Sequence, residues 1–210
     1  MKCRFRHSLL ICFLRRCIRL LEKYVENEYM ELCSRYNTDA PVKKVTLRFR
    51  SEKYFRDFQK TLETNRRGEV GFLLIRKNGS FVVIRSRRYP KSAYRIPTGG
   101  INFNEKAIDA LYREVAEELG VKFEIENFHG IIEYDIHYKE DVIKFYSYLF
   151  IIKEVSGNII DDALEDEIAD YKETDFQGLS ALSGILERIE GGWRDWGRFR
   201  AELIKFYVNK

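Results

Sequence analysis

The chain has 210 residues, of which 45% are hydrophobic and 33% charged, with only three prolines. This composition suits a soluble globular protein and excludes extensive disorder, and the length allows one domain with a sizeable core plus an appendage. The net charge of +4 is uneven, because residues 1–50 hold 12 Lys/Arg against 5 Asp/Glu, so the basic bias belongs to the N-terminal segment.

Residues 5–36 read as a basic amphipathic helix that breaks near Asn37-Thr38-Asp39 and Pro41. Its apolar run, Leu9 to Leu14, stops at Arg15-Arg16 and is too short to span a bilayer, so no transmembrane segment is expected. Such a helix can pack on a domain, pair two copies of the chain or touch a membrane surface. Its arginines (Arg4, Arg6, Arg15, Arg16, Arg19) are the sole support for nucleic-acid binding, which is not expected. All four cysteines (Cys3, Cys12, Cys17, Cys33) fall in this segment, without a CxxC pair or a histidine at ligand spacing. That argues against a zinc site and against a disulfide framework, and points to the cytoplasm. The expected division is a helical extension over 1–40 and a main domain over 41–210, with its core over about 68–180.

Val42 to Arg50 alternates, with Val45, Leu47 and Phe49 apolar, and reads as a strand. Ser51 suits the N-cap of a helix through about Glu63, with Tyr54, Phe55, Phe58 and Leu62 on one face. Val70 to Arg76 and Phe81 to Arg85 are apolar runs around Lys77-Asn78-Gly79-Ser80, a hairpin signal. An arginine-rich loop (Arg85, Arg87, Arg88, Arg95) and Pro97-Thr98-Gly99-Gly100 follow, then a helix from about Glu105 to Leu119, stopped by Gly120. Ile131 to His137 and Val142 to Lys153 read as strands joined by a turn at Lys139-Glu140-Asp141. An acidic loop, Asp161 to Asp170, precedes a short strand near Tyr171 and two helices, about Ser180–Glu190 and Arg198–Val208. This order predicts an α/β (α+β) fold with a mixed sheet between helices.

The chemistry concentrates in Gly99 to Val121, GGINFNEKAIDALYREVAEELGV. On a helix, Ile108, Leu111, Val115 and Leu119 share one face, which must be core. Glu114, Glu117 and Glu118 share another, where like charges repel. A purely structural helix gains nothing from that cluster, whereas a hard divalent cation needs such carboxylate oxygens. Glutamate-rich faces are more often simply solvated; what shifts the reading is Gly99-Gly100 before the helix, where backbone can approach a ligand closely, and Arg113 beside the carboxylates.

The stretch resembles the Nudix box, G-x5-E-x7-R-E-U-x-E-E-x-G-U with U aliphatic. Gly99, Glu105, Arg113-Glu114-Val115, Glu117-Glu118 and Gly120-Val121 occupy every defined position. The resemblance implies a Nudix-type α/β/α sandwich and a Mg²⁺-dependent pyrophosphohydrolase, with Mn²⁺ able to substitute. It implies Glu114, Glu117, Glu118 and the carbonyl of Gly99 as metal ligands, Arg113 as the residue orienting the glutamates, and Glu105, Gly100 and Gly120 as support. The general base is then a box glutamate (Glu117 or Glu118) or an acid of the later loop, Glu165 or Glu167, each of which reads equally well as solvated surface. Arg85, Arg87, Arg88 and Arg95 are placed as in ADP-ribose and nucleotide-sugar pyrophosphatases of the family, where arginine suits phosphate; a solubilising loop is the equal alternative. Tyr138, 17 residues after Val121, is similar in position to a tyrosine of dinucleoside polyphosphate hydrolases. The implied substrate is a nucleoside diphosphate linked to another moiety. ADP-ribose or a nucleotide sugar is favoured, with dinucleoside polyphosphates and nucleoside triphosphates behind. A non-catalytic nucleotide sensor is the alternative of another class, and the intact box stands against it. Trp193 and Trp196 read as core anchors more readily than as a stacking surface for a base. A homodimer is the family's implication.

Overall fold

The structure, a computed structural model, describes residues 22–161 and 168–209. The chain divides into two compact units, Met1–Thr38 and Asp39–Lys210. In the first, residues 22–35 form helix α1. The apolar run and the arginines expected at its start lie outside the described residues. Among the described residues, no helix is long and apolar enough to cross a membrane.

The second unit is built on a mixed sheet. Its elements are β1 (Val42–Arg48), α2 (Glu52–Thr64), β2 (Arg66–Ile75), β3 (Phe81–Ser86), β4 (Thr98–Asn102), α3 (Ala107–Glu118), β5 (Lys122–Tyr138), β6 (Asp141–Ser156), β7 (Ile168–Thr174), α4 (Phe176–Glu187) and α5 (Arg194–Val208). The strands run in the order β1-β5-β6-β2-β3-β7, and β4 pairs with β2 off this path. The pairs β1·β5 and β2·β6 are parallel and the rest antiparallel.

Strand alternation sends successive side chains to opposite faces, and in the central strands both faces are buried. On one face Leu73, Tyr134, Leu149 and Ile151 pack with Phe55 of α2 and with Phe199 and Leu203 of α5. The alternate residues Phe72, Leu74, Tyr148 and Phe150 are fully buried on the other face, where α3 packs on β2 and β4. Helix α3 turns Ile108, Leu111 and Val115 inward, as the 3.6-residue period requires. Helices on both faces of a mixed sheet make the expected α/β/α sandwich.

Local signals explain most boundaries. Ser51 caps α2, its hydroxyl accepting from the Tyr54 amide. Gly79 closes the β2–β3 hairpin at φ +85°, and Gly120 ends α3 at φ +69°, its amide donating to the Val115 carbonyl. Both positions need the left-handed backbone that glycine adopts without a Cβ penalty.

Three expectations change. Pro97-Thr98-Gly99-Gly100 is not all loop, because Thr98–Asn102 pairs as a strand with β2. Strand β5 starts at Lys122 rather than Ile131, carried through Gly130 by register shifts between Ile125/Asn127 and Phe128/Gly130, and such bulges break the alternation that would mark a strand. Helices α4 and α5 start earlier than read. Asp175 caps α4 by accepting from the Gly178 amide, and α5 begins at Arg194, directly after a 3-10 turn over Gly191–Trp193. Trp196 is buried in the core, and Trp193 packs against it.

Candidate active site

Strand β4 and helix α3 meet at Gly99. A Cβ built there would sit 1.7 Å from the Glu114 carboxyl carbon. No side chain fits, so the glycine is a steric requirement of the glutamate's position. Gly100 is similar, its Cβ falling 2.3 Å from Arg66 Nε. Because α3 buries Ile108, Leu111 and Val115 against the sheet, its third face presents Glu114, Glu117 and Glu118 together at a cleft edge.

Arg113 is the hub of this group. Its Nε donates to Glu105 Oε1 at 2.8 Å, and its Nη2 donates to Glu105 Oε2 at 3.0 Å and to the Gly100 carbonyl at 2.7 Å. Its Nη1 donates to Glu114 Oε1 at 2.7 Å and to Glu117 Oε2 at 2.8 Å. One planar fork thus ties helix, strand and turn. Hydrogen bonding to Glu105 is the largest influence holding the guanidinium above its ordinary value, against the pull of burial. Burial acts to raise the Glu105 carboxyl, but the hydrogen bonds from Arg113 and from the Asn102 amide outweigh it and leave it below the usual range. For Glu114 burial prevails over Arg113, helped by the Glu117 charge, and its carboxyl is raised.

The cleft has a volume of about 480 Å³. Arg66, Arg95, Arg113 and Arg200 line it together with the three glutamates, Gly99 and Gly100. Arg95 is buried, with its Nη1 donating to the Ile96 carbonyl and Thr98 Oγ1 and its Nη2 3.6 Å from Glu118 Oε1. Arg200 reaches in from α5 and pairs with Glu69 at 2.7 Å. Tyr89 forms a wall, its ring 4.3 Å from that of Trp196 and 5.2 Å from that of Trp193.

Other residues named from the sequence lie elsewhere. Arg85 does not line the cleft; it faces Asp170 at 3.8 Å and stacks over Tyr94. Arg87 and Arg88 are exposed and also do not line it. Tyr138 donates to Glu52 Oε2 and packs on Phe55. Glu165 and Glu167 lie outside the described residues. Sequence reasoning passed over Asn65, Arg66, Tyr89, Asn102 and Arg200, which the fold brings to the cleft. Arg66 and Asn102 carry a faint signal, Arg66 just ahead of the first apolar run of the hairpin and Asn102 at an undefined position within the box; Tyr89 and Arg200 carry none.

Among the described residues, no three His, Cys, Asp or Glu side chains converge closely enough, as they stand, to hold a metal ion. The donor set nonetheless fits a hard divalent cation. It is all oxygen, it borders one cleft, and the missing Cβ at Gly99 lets the Glu114 carboxylate lie against backbone. Glu114, Glu117, Glu118 and the Gly99 carbonyl are the groups that could hold such an ion.

Residues 65–190 match the NUDIX domain family. Among curated proteins, the chain is 38% identical over 58 residues to the RNA pyrophosphohydrolase of Ruthia magnifica subsp. Calyptogena magnifica, covering 28% of this chain and 31% of that protein. It is 40% identical over 55 residues to the RNA pyrophosphohydrolase of Pasteurella multocida (strain Pm70), covering 26% and 27%. The matched segment therefore spans less than a third of the length of these relatives. Among solved structures, a NUDIX hydrolase from Nitrosomonas europaea is 18% identical with a TM-score of 0.49, over 69% of this chain and 89% of that chain. The match over 65–190 takes in more than half of the chain and the whole of Gly99–Val121, and on it the chain belongs to the NUDIX domain family.

Proposed function

We propose that the chain is a Mg²⁺-dependent pyrophosphohydrolase, Mn²⁺ substituting, that cleaves a nucleoside diphosphate linked to another group, with ADP-ribose or a nucleotide sugar favoured. The observation that carries this reading is a single cleft in which three glutamates on one helix face four arginines. Carboxylates and guanidinium groups in one pocket suit a substrate that is polyanionic and a cofactor that is cationic. When bound, the cation neutralises diphosphate charge and acidifies the attacking water. Glu114, Glu117, Glu118 and the Gly99 carbonyl would hold it, and Arg113 with Glu105 would keep those carboxylates oriented. Arg66, Arg95 and Arg200 take the phosphate oxygens, and Tyr89, backed by two tryptophans, offers a face on which a base can stack. A carboxylate takes the proton of the attacking water, either Glu117 or Glu118 or, from the loop, Glu165 or Glu167.

The test is incubation of the purified chain and of Glu117→Gln with Mg²⁺ and a panel of ADP-ribose, nucleotide sugars, dinucleoside polyphosphates and nucleoside triphosphates. The expected result is turnover of one class, abolished by the substitution and by a chelator. Nucleotide binding without turnover across the panel would replace the enzyme by a sensor. A second reading, removal of pyrophosphate from a 5′-triphosphate RNA end, is favoured by the names of the curated relatives. Triphosphorylated RNA in the same panel separates the two.

A further inference from the structure

A second cleft, of about 520 Å³, lies between the end of β1 and the start of α5, and it shares no lining residue with the first. Arg48, Arg50, Arg194 and Arg198 line it, with Asp195 as its one carboxylate. That carboxylate is already engaged. Its Oδ1 accepts from Arg194 Nη1 at 2.6 Å, and its Oδ2 accepts from the backbone amides of Arg50 and Ser51, each at 2.8 Å. Among the described residues, the side chains of Arg48, Arg50 and Arg198 have no carboxylate partner. The cleft is therefore strongly positive.

Arg194 distinguishes this cleft from a solvated basic surface. It is 7% exposed, and its Nε is buried without a hydrogen-bond partner. A buried donor left unsatisfied is costly, so this N–H calls for an acceptor that the described residues do not supply. Arg194 is also the first residue of α5, a helix of 15 residues, whose positive dipole end favours an anion at the same place. Guanidinium forks pair best with a planar or tetrahedral oxyanion that can accept two hydrogen bonds at once, and phosphate offers more charge for this than carboxylate.

We propose that this cleft is a second anion site, which takes a phosphate or pyrophosphate group on Arg48, Arg194 and Arg198 at the N-terminus of α5. It is separate from the cleft that holds the glutamates and does not rest on the hydrolase reading. Its test needs no turnover. The full chain is titrated calorimetrically with inorganic pyrophosphate and, separately, with ADP, at low salt in EDTA. Saturable binding is expected, weakened at least tenfold in Arg48→Ala/Arg198→Ala. Because neither side chain has a carboxylate partner among the described residues, the variant should keep the wild-type circular dichroism, and Arg198→Gln alone serves should it not. Equal affinity for the two probes would identify a free anion as the ligand, and tighter binding of ADP would identify a nucleotide phosphate. No saturable binding, or binding unchanged in the variants, would overturn the proposal.

Discussion

Gly99 is fixed as glycine by a side chain on the following helix. With the Glu114 carboxyl carbon 1.7 Å from an added Cβ, Gly99→Ala must displace the Glu114 carboxylate from its present position. If Glu114 holds the proposed cation, the expected outcome is an apparent Mg²⁺ affinity or activity reduced on the order of 10–100-fold, the usual cost of disturbing what orients a metal ligand, read by metal titration of turnover. Arg113→Lys tests the hub. A lysine ammonium keeps the charge but cannot span Glu105, Glu114, Glu117 and the Gly100 carbonyl, all of which the guanidinium reaches at 2.7–3.0 Å. A loss of similar size is expected, and a fully active lysine variant would show that orientation by the fork is dispensable. Glu105 gives a prediction about stability. Its folded carboxyl is held below the usual range because the Arg113 and Asn102 hydrogen bonds outweigh burial. The stabilisation is therefore complete above the unfolded carboxyl value and is lost as pH falls through the lower folded value. Glu105→Gln should flatten this acid limb in urea midpoints measured against pH.

At the scale of elements, Asp195 joins two ends that are far apart in sequence. Its Oδ2 accepts both the Arg50 and Ser51 amides just before α2, while Oδ1 holds Arg194 at the start of α5. Asp195→Ala would leave these donors and a buried guanidinium unpartnered, and removing one partner of a buried pair costs roughly 3–5 kcal/mol. Urea denaturation should show a loss of this order, whereas a change under about 1 kcal/mol would mean that water replaces the carboxylate. The same elements show what the sequence can and cannot disclose. Helix α3 was legible because Ile108, Leu111 and Val115 recur at helical spacing, and the β2–β3 turn because Asn78-Gly79 is a local signal. Strand β4 was not, since Gly99 and Gly100 look like loop and become strand only through pairing with Val70 and Glu69. The first half of β5 was hidden because its register shifts beside β6, and pairing across the sheet leaves no trace in local composition.

At the scale of the whole molecule, the cleft is assembled from four separated stretches, of which only the glutamate helix announces itself. Tyr89 and Arg200 arrive through packing. Arg200 crosses from α5 to Glu69 on β2, and Glu69 also accepts from Ser147 of β6 at 2.7 Å. The Glu69 side chain is 5% exposed and that of Arg200 15%, so the pair is shielded from solvent screening. Burial, the largest single influence, pulls the guanidinium down, but the Glu69 charge and hydrogen bond together with the nearby Tyr89 and Tyr54 hold Arg200 above its ordinary value. This ion pair fixes where α5 presents its cation to the cleft, and it couples fold to site. Arg200→Ala should strand a buried carboxylate and lower stability by about 3–5 kcal/mol. It should also raise KM for a diphosphate substrate more than it lowers kcat, if Arg200 binds phosphate in ground and transition states alike. The double variant Glu69→Gln/Arg200→Ala removes the stranded charge, so it should recover part of the lost stability and none of the affinity. A thermodynamic cycle from urea melts and KM values separates the two. Recovery of both would make Arg200 purely structural, and recovery of stability alone would make it a phosphate contact held in place by the fold.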